Sequence, residues 1–322
     1  MKRFLARCAA SLMLMAGSAF AQDTTPVTIG WGAFPDVPQI AQAVDKKLWA
    51  ADKLDVKIVP FASGRAGFEA LIGGQLDYVV MAEFPAVSGV MRNLKFSVVA
   101  VLAQFRSYRL IAKGDKPLAD LKALAGKKIA IPLGTNVHFI VADALDAQGV
   151  KAELVNVPPP EMLSALSRGD VDAIMTFPGG YQNARRTLGA SYQELRLPGY
   201  ASSFILAASE KASAKPELTQ RVLAALVKGD ELVARQPAES QEATSRYVGG
   251  VVPVEAVRAA WGDYEFRVKL DQGTLDLMVK EGRWLKAKGL VKEGDPSAAL
   301  YRKWFAPEAL RSLDPARVQL AP

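Results

Sequence analysis

The stretch ALIGGQLDYVVMAEFPA, residues 70–86, is nearly rewritten at residues 165–180 as ALSRGDVDAIMTFPGG. Both copies read Ala-Leu-x-x-Gly-x-x-Asp, then a short apolar run, then Phe-Pro. Gly74 and Asp77 in the first copy correspond to Gly169 and Asp172 in the second. A glycine after a helical run supplies the left-handed residue that ends a helix, and a short apolar run bounded by turn residues reads as a buried strand. Each copy is therefore a helix, a glycine stop, a polar turn and a strand whose C-terminal end carries a Phe-Pro loop. A chain that spells this unit twice, half a protein apart, is constrained to two α/β lobes.

The surrounding residues carry the same alternation. PVTIGWG reads as a strand stopped by Gly32, and Ile40, Val44, Leu48 and Leu54 fall at helical spacing. DVKIVPF is a further strand, SGRAGFEALIGG a serine-capped helix, and YVVM and FSVVAVLAQF apolar β runs. The pattern restarts near residue 118. From Lys215 to Ala306 the texture turns helical, as cladding that returns to the first lobe. Crossovers are expected near Tyr108 and Phe204, giving lobe 1 as residues 22–108 and 207–322 and lobe 2 as 109–206.

The first 21 residues stand apart. Lys2, Arg3 and Arg7 precede an apolar run that ends in Ala19-Phe20-Ala21, the order of a cleaved secretory signal peptide. The leader carries three of the seven net positive charges and the only cysteine, Cys8. The exported remainder has basic residues interleaved with acids, which is no nucleic-acid footprint, and no later stretch is long enough to span a membrane. With no second histidine beside His138 and no thiol after the leader, neither a metal site nor a cofactor is expected. No nucleophile elbow, Walker loop or dinucleotide fingerprint is present, so catalysis is not expected.

The order TIGW, PFASG, EAL…GQLD, ADLKALAGKKIAIPLGTNVHF and VNVPPPEML…GDVDA resembles periplasmic solute-binding proteins of ABC importers, of the sulfonate, taurine, nitrate and thiamin-precursor type. The resemblance runs from about residue 27 to 210, with LxGKKIA and GTNVHF its most specific part. It implies a two-lobed periplasmic-binding-protein fold of type II. Each lobe would be a mixed sheet flanked by helices, with the ligand cleft between the lobes. It further implies a periplasmic, monomeric protein that captures a small organic anion by hinge closure and delivers it to a membrane-embedded permease. Nitrate, bicarbonate or a thiamin pyrimidine precursor are alternative ligands. The alternative of another class is a secreted enzyme on the same scaffold, although the cysteine-rich signature of the related thiamin-pyrimidine synthase is missing.

In layered α/β folds, ligands bind outside the carboxyl ends of the strands. Five segments qualify: 31–36, 63–65, 82–85, 133–138 and 176–181. Gly134-Thr135-Asn136 ends a strand and opens a helix, where free amides and the helix dipole favour an anion. The resemblance places Thr135, Asn136 and His138 on the loop that grips the anionic group. Ser63-Gly64-Arg65 supplies a second capped helix start with a cation, and Arg65 and Arg106 could each take a carboxylate or sulfonate. Trp31, Phe34, Phe84, Phe177 and Tyr181 are candidate walls. Glu83 adds an acid, which in a crevice needs Arg65, Arg106 or a hydrogen-donating ligand as its partner.

Overall fold

The protein is described by a computed structural model covering residues 24–32 and 34–321. The leader expected over residues 1–21, Cys8 included, lies outside the described residues. The strands are Thr25–Gly30 (β1), Leu54–Val59 (β2), Tyr78–Ala82 (β3), Phe96–Phe105 (β4), Arg109–Lys113 (β5) and Lys128–Ile131 (β6). They continue with Glu153–Asn156 (β7), Ala173–Ile174 (β8), Tyr192–Arg196 (β9), Ser202–Ser209 (β10), Tyr264–Asp271 (β11) and Val318–Gln319 (β12). Among the described residues they form a seven-stranded sheet, β12-β11-β4-β10-β3-β1-β2, and a five-stranded sheet, β7-β6-β8-β5-β9. Both are mixed. β1 runs parallel to β2 and β3, and β6 parallel to β7 and β8. β10 enters the first sheet antiparallel to β3 and β4, as β5 enters the second antiparallel to β8 and β9. This is the two-lobed α/β architecture, with helices flanking each sheet.

The repeated unit is explained by strand pairing. Gly74 and Gly169 both take left-handed backbone, φ +75° and +84°, and end their helices. Asp77 then accepts hydrogen bonds from the Thr28 amide at 2.8 Å and the Thr28 hydroxyl at 2.9 Å, immediately before β3 joins β1. Asp172 accepts from the Lys128 amide at 2.8 Å, immediately before β8 joins β6. In each lobe one carboxylate therefore pins the point where a parallel pair begins. The two Phe-Pro pairs have diverged: Phe84 is buried in the core, whereas Phe177 is only half-buried.

The chain passes between the sheets at residues 106–108 and again at 197–201. Phe204 itself lies inside β10, whose eight residues are all buried. The region read as helical from Lys215 to Ala306 also holds a strand. YEFRVKLD alternates aromatic and branched residues with charged ones, the period of a half-buried strand, and forms β11 against β4. Behind it, the buried carboxylate of Asp230 receives the Val268 amide at 3.0 Å, the Gln39 side chain at 3.3 Å and the Arg317 guanidinium at 2.6 Å. That network fastens the C-terminal segments to the first sheet.

If the two aspartates pin their strands, their costs should follow their burial. Asp77→Ala, which strands two donors in a partly buried site, should lower the urea-unfolding free energy by about 1.5–3 kcal/mol. Asp172→Ala should cost less, because its side chain is 40% exposed and water can replace it. A larger loss for Asp172→Ala would contradict the pinning role.

Candidate ligand cleft

The ends of β1, β3, β6 and β8 meet at a cleft enclosing about 530 Å³, its open mouth included. On the second sheet, the helix Asn136–Ala147 begins at Thr135, in extended backbone, with no side chain capping its amides. The Thr135 hydroxyl is turned away and donates to the Pro132 carbonyl at 2.7 Å. The His138 amide donates to the Thr135 carbonyl at 3.0 Å, which leaves the Asn136 and Val137 amides as the first-turn donors, beside cleft-lining Thr135 and Asn136, with the positive end of the dipole behind them. Asn136 is buried, and its side-chain amide donates to the Tyr108 hydroxyl at 2.6 Å and the Ser202 hydroxyl at 2.9 Å. Its carbonyl oxygen has no hydrogen-bond partner among the described residues.

Arg65 reaches this loop from the first sheet's side. Its guanidinium donates to the Leu133 carbonyl at 3.0 Å and to Glu69 at 2.9 Å. Gly134 is required beneath it: φ is +74°, and a Cβ would stand 2.2 Å from Arg65 Nη1. The opposite wall is aromatic. Trp31 stacks on Tyr247 with centroids 4.8 Å apart, and Phe34 meets Phe177 edge-on at 5.8 Å. Tyr108, Phe204, Met81 and Ala82 also line the space.

Among the described residues that line the cleft, the acid is Asp36. It is buried, accepts a 2.5 Å hydrogen bond from the Tyr264 hydroxyl, and is pushed up to about 6 by burial, which outweighs that hydrogen bond. Asp36 stood in one of the five loop segments without being singled out. Tyr264 and Tyr247 belong to the C-terminal region, where the sequence offers no local sign of a cleft.

Seven of the residues proposed from sequence line this space: Trp31, Phe34, Gly64, Arg65, Thr135, Asn136 and Phe177. The others have different surroundings. Ser63 caps its helix by accepting from the Ala66 amide, and Gly134 supports Arg65. His138 accepts from the Gly134 amide at 3.4 Å, sets its ring edge-on to Trp284, and is held below its ordinary pKa by burial and then by Arg65. It is therefore neutral near pH 7 and offers an anion no charge. Phe84 is packed between Phe139 and Trp284, and the Tyr181 hydroxyl accepts from the Arg109 amide.

Glu83 and Arg106 require correction. Arg106 is exposed and bonds Gln104 and Glu265. Glu83 is wholly buried, accepts from the Ser203 amide, and faces a second buried acid, Glu281. Neither Arg65 nor Arg106 reaches it. The chain turns directly from β3 into the helix Phe84–Met91, which directs the Glu83 side chain behind the cleft. Burial pushes Glu83 up to about 7, and burial together with the Glu83 charge pushes Glu281 well above the usual carboxylate range. Two such neighbours cannot both ionise, so they share at least one proton at neutral pH.

Among the described residues no group of three or more His, Cys, Asp or Glu side chains could hold a metal, and no helix is long and apolar enough to cross a membrane. A profile of the NMT1/THI5-like family matches residues 35–240, and the chain belongs to that family. A Brucella abortus protein, designated a binding protein without a stated ligand, is 27% identical over 286 residues, covering 84% of this chain and 80% of its own. The taurine-binding periplasmic protein of Escherichia coli is 27% identical over 165 residues, 50% of this chain and 51% of its own. The solved alkanesulfonate-binding protein SsuA of Xanthomonas axonopodis, bound to MOPS, superposes with a TM-score of 0.74 over 88% of this chain and 98% of its own, at 19% identity. The desulfurization enzyme DSZB shares the fold with a TM-score of 0.66 at 16% identity, over 91% and 99% of the two chains.

The buried acid pair gives a pH signature. Because its carboxyls titrate higher in the folded protein than the ordinary 4.5, the folded state keeps a proton that the unfolded chain releases. The Glu83 contribution is fully present below 4.5 and is lost as the pH rises through about 7, and the Glu281 contribution is lost at higher pH. Thermal melts should show the wild type losing stability across that window. Glu281→Gln should flatten the decline and melt above wild type at alkaline pH; an unchanged slope would contradict the shared proton.

Proposed function

We propose that this protein is the substrate-binding component of an ABC importer, exported to the periplasm, which captures a small organosulfonate between its lobes and presents it to a membrane permease. The observation that carries the reading is a pairing of opposites across one cleft. The uncapped start of the helix Asn136–Ala147 offers amides to an anion, while Asp36 offers a carboxylate to a cation or donor. Aromatic rings line the space between them. A zwitterion with a short organic body satisfies both ends, so amino-bearing sulfonates are favoured over plain alkanesulfonates. The relatives that bind taurine and alkanesulfonates support the sulfonate end.

Hinge closure follows from the same geometry. Two crossings of the chain join the lobes, which also meet through Arg109–Asp263 and Lys280–Asp143, and a ligand that touches both lobes shifts the population toward the closed form. The enzyme alternative finds little support. The single histidine, His138, faces Gly134 and Trp284 rather than a nucleophile, and the single cysteine lies in the leader.

Calorimetry with taurine and ethanesulfonate, which differ chiefly in the ammonium group, separates the two ends. Asp36→Asn should weaken taurine by roughly tenfold or more, since a hydrogen bond to a charged group contributes about 1.5–3 kcal/mol, and should leave ethanesulfonate little changed. Taurine should also weaken as the pH falls below about 6, where Asp36 takes a proton. Asn136→Asp, which sets a like charge beside the sulfonate, should weaken both by at least tenfold. Taurine affinity indifferent to Asp36, or either ligand indifferent to Asn136→Asp, would refute the arrangement.

A further inference from the structure

The cleft does not end at its aromatic wall. Beyond Phe34 and Phe177 lies a second, wider groove of about 1650 Å³, open to solvent, which these two rings also line. Its sides are largely apolar, built from Phe61, Pro159, Pro160, Val252 and Pro253, and it holds Val251, which is 79% exposed. Between the inner and outer spaces at this point stands the edge-on contact of the two phenyl rings.

The rings belong to opposite lobes. Phe34 follows β1 of the first sheet, and Phe177 follows β8 of the second. The backbone around them is equally close: a Cβ on Gly179 would stand 3.1 Å from Pro35 Cδ and 3.9 Å from Phe34 Cδ1. Two Phe-Pro segments thus face each other across the mouth, and the rings meet only when the lobes are together. A ligand short enough to stay behind the rings leaves the contact intact. A longer one places methylenes where the rings meet, and either a ring turns aside or the lobes stay apart.

Resting on the reading of the cleft as a sulfonate site, we propose that the Phe34–Phe177 pair is the length selector of this protein, setting the longest organic body that permits closure. Removing either ring joins the inner cleft to the outer groove, which then takes the tail of a longer sulfonate along its apolar floor.

The test is calorimetric titration of the full chain without its leader, using linear alkanesulfonates from two to ten carbons, on wild type, Phe34→Ala and Phe177→Ala. In wild type each added methylene should raise affinity up to roughly fourfold while the inner space fills, followed by a sharp fall. In the alanine variants the rise should continue past that length. Phe177→Leu, which keeps an apolar side chain and protects against misfolding, should give an intermediate limit. Adding Val251→Asp to Phe177→Ala should remove the gain for long chains while sparing the short ones, because Val251 lines only the outer groove. The same cut-off in all proteins would overturn the length selector while leaving the sulfonate reading intact. Failure of every alkanesulfonate to bind any of them would overturn that reading and the selector with it.

Discussion

The side chain of Asn136 joins the parts of this molecule that must act together. It opens the helix whose amides face the cleft, and its amide nitrogen bonds Tyr108 and Ser202. Tyr108 lies on the first passage of the chain between the sheets, and Ser202 begins β10 immediately after the second. All three side chains are buried, where a hydrogen bond lost is expensive and geometry is held closely. A ligand on the helix start therefore touches a residue bonded to both crossings. On the proposed reading, binding and hinge geometry become one problem, because the start of the helix Asn136–Ala147 is bonded to the two segments about which the lobes would move.

Electrostatics divides the acids near the cleft by burial and partner. Asp36, with the Tyr264 hydroxyl on one oxygen, reaches the ligand space and keeps a titration range in which it is largely ionised at neutral pH. Glu83, one layer behind, meets Glu281, the Ser203 amide and the Ser202 side chain, and exchanges its charge for a shared proton. Among the described residues, the negative end of the proposed site is thus the Asp36 carboxylate. The positive end is made mostly of backbone, with Arg65 held over the loop by the Leu133 carbonyl. The sulfonate proposal rests on this arrangement, in which a charge spread over three oxygens would be matched by several modest donors.

What the sequence made legible was local. The α/β class, the two lobes, the strand–glycine–helix turn at Gly134–Asn136 and the helix start at Gly64–Arg65 are all written in neighbouring residues, because glycine stops and caps act over a few positions. The repeated Gly-x-x-Asp was legible as a unit, but its purpose depends on the parallel partner strand, which no local pattern names. Long-range pairing was where reading failed. Asp36 finds Tyr264 228 residues later, and Glu83 finds Glu281 on a distant helix, so an acid assigned to the ligand proved to belong to the interior. β11 was passed over although YEFRVKLD alternates at the strand period, because those eight residues lie between two helical runs.

The claim on which the account stands is that a sulfonate's oxygens rest on the first amides of the helix Asn136–Ala147. Anomalous diffraction from the ligand sulfur, in crystals grown with taurine, locates that group without interpretation of its shape. The account predicts a peak within hydrogen-bonding reach of the Asn136 and Val137 amides, with the amine directed toward Asp36. A peak elsewhere, beside Arg106 or in the outer groove, or a sulfonate seated against Asp36, would contradict it.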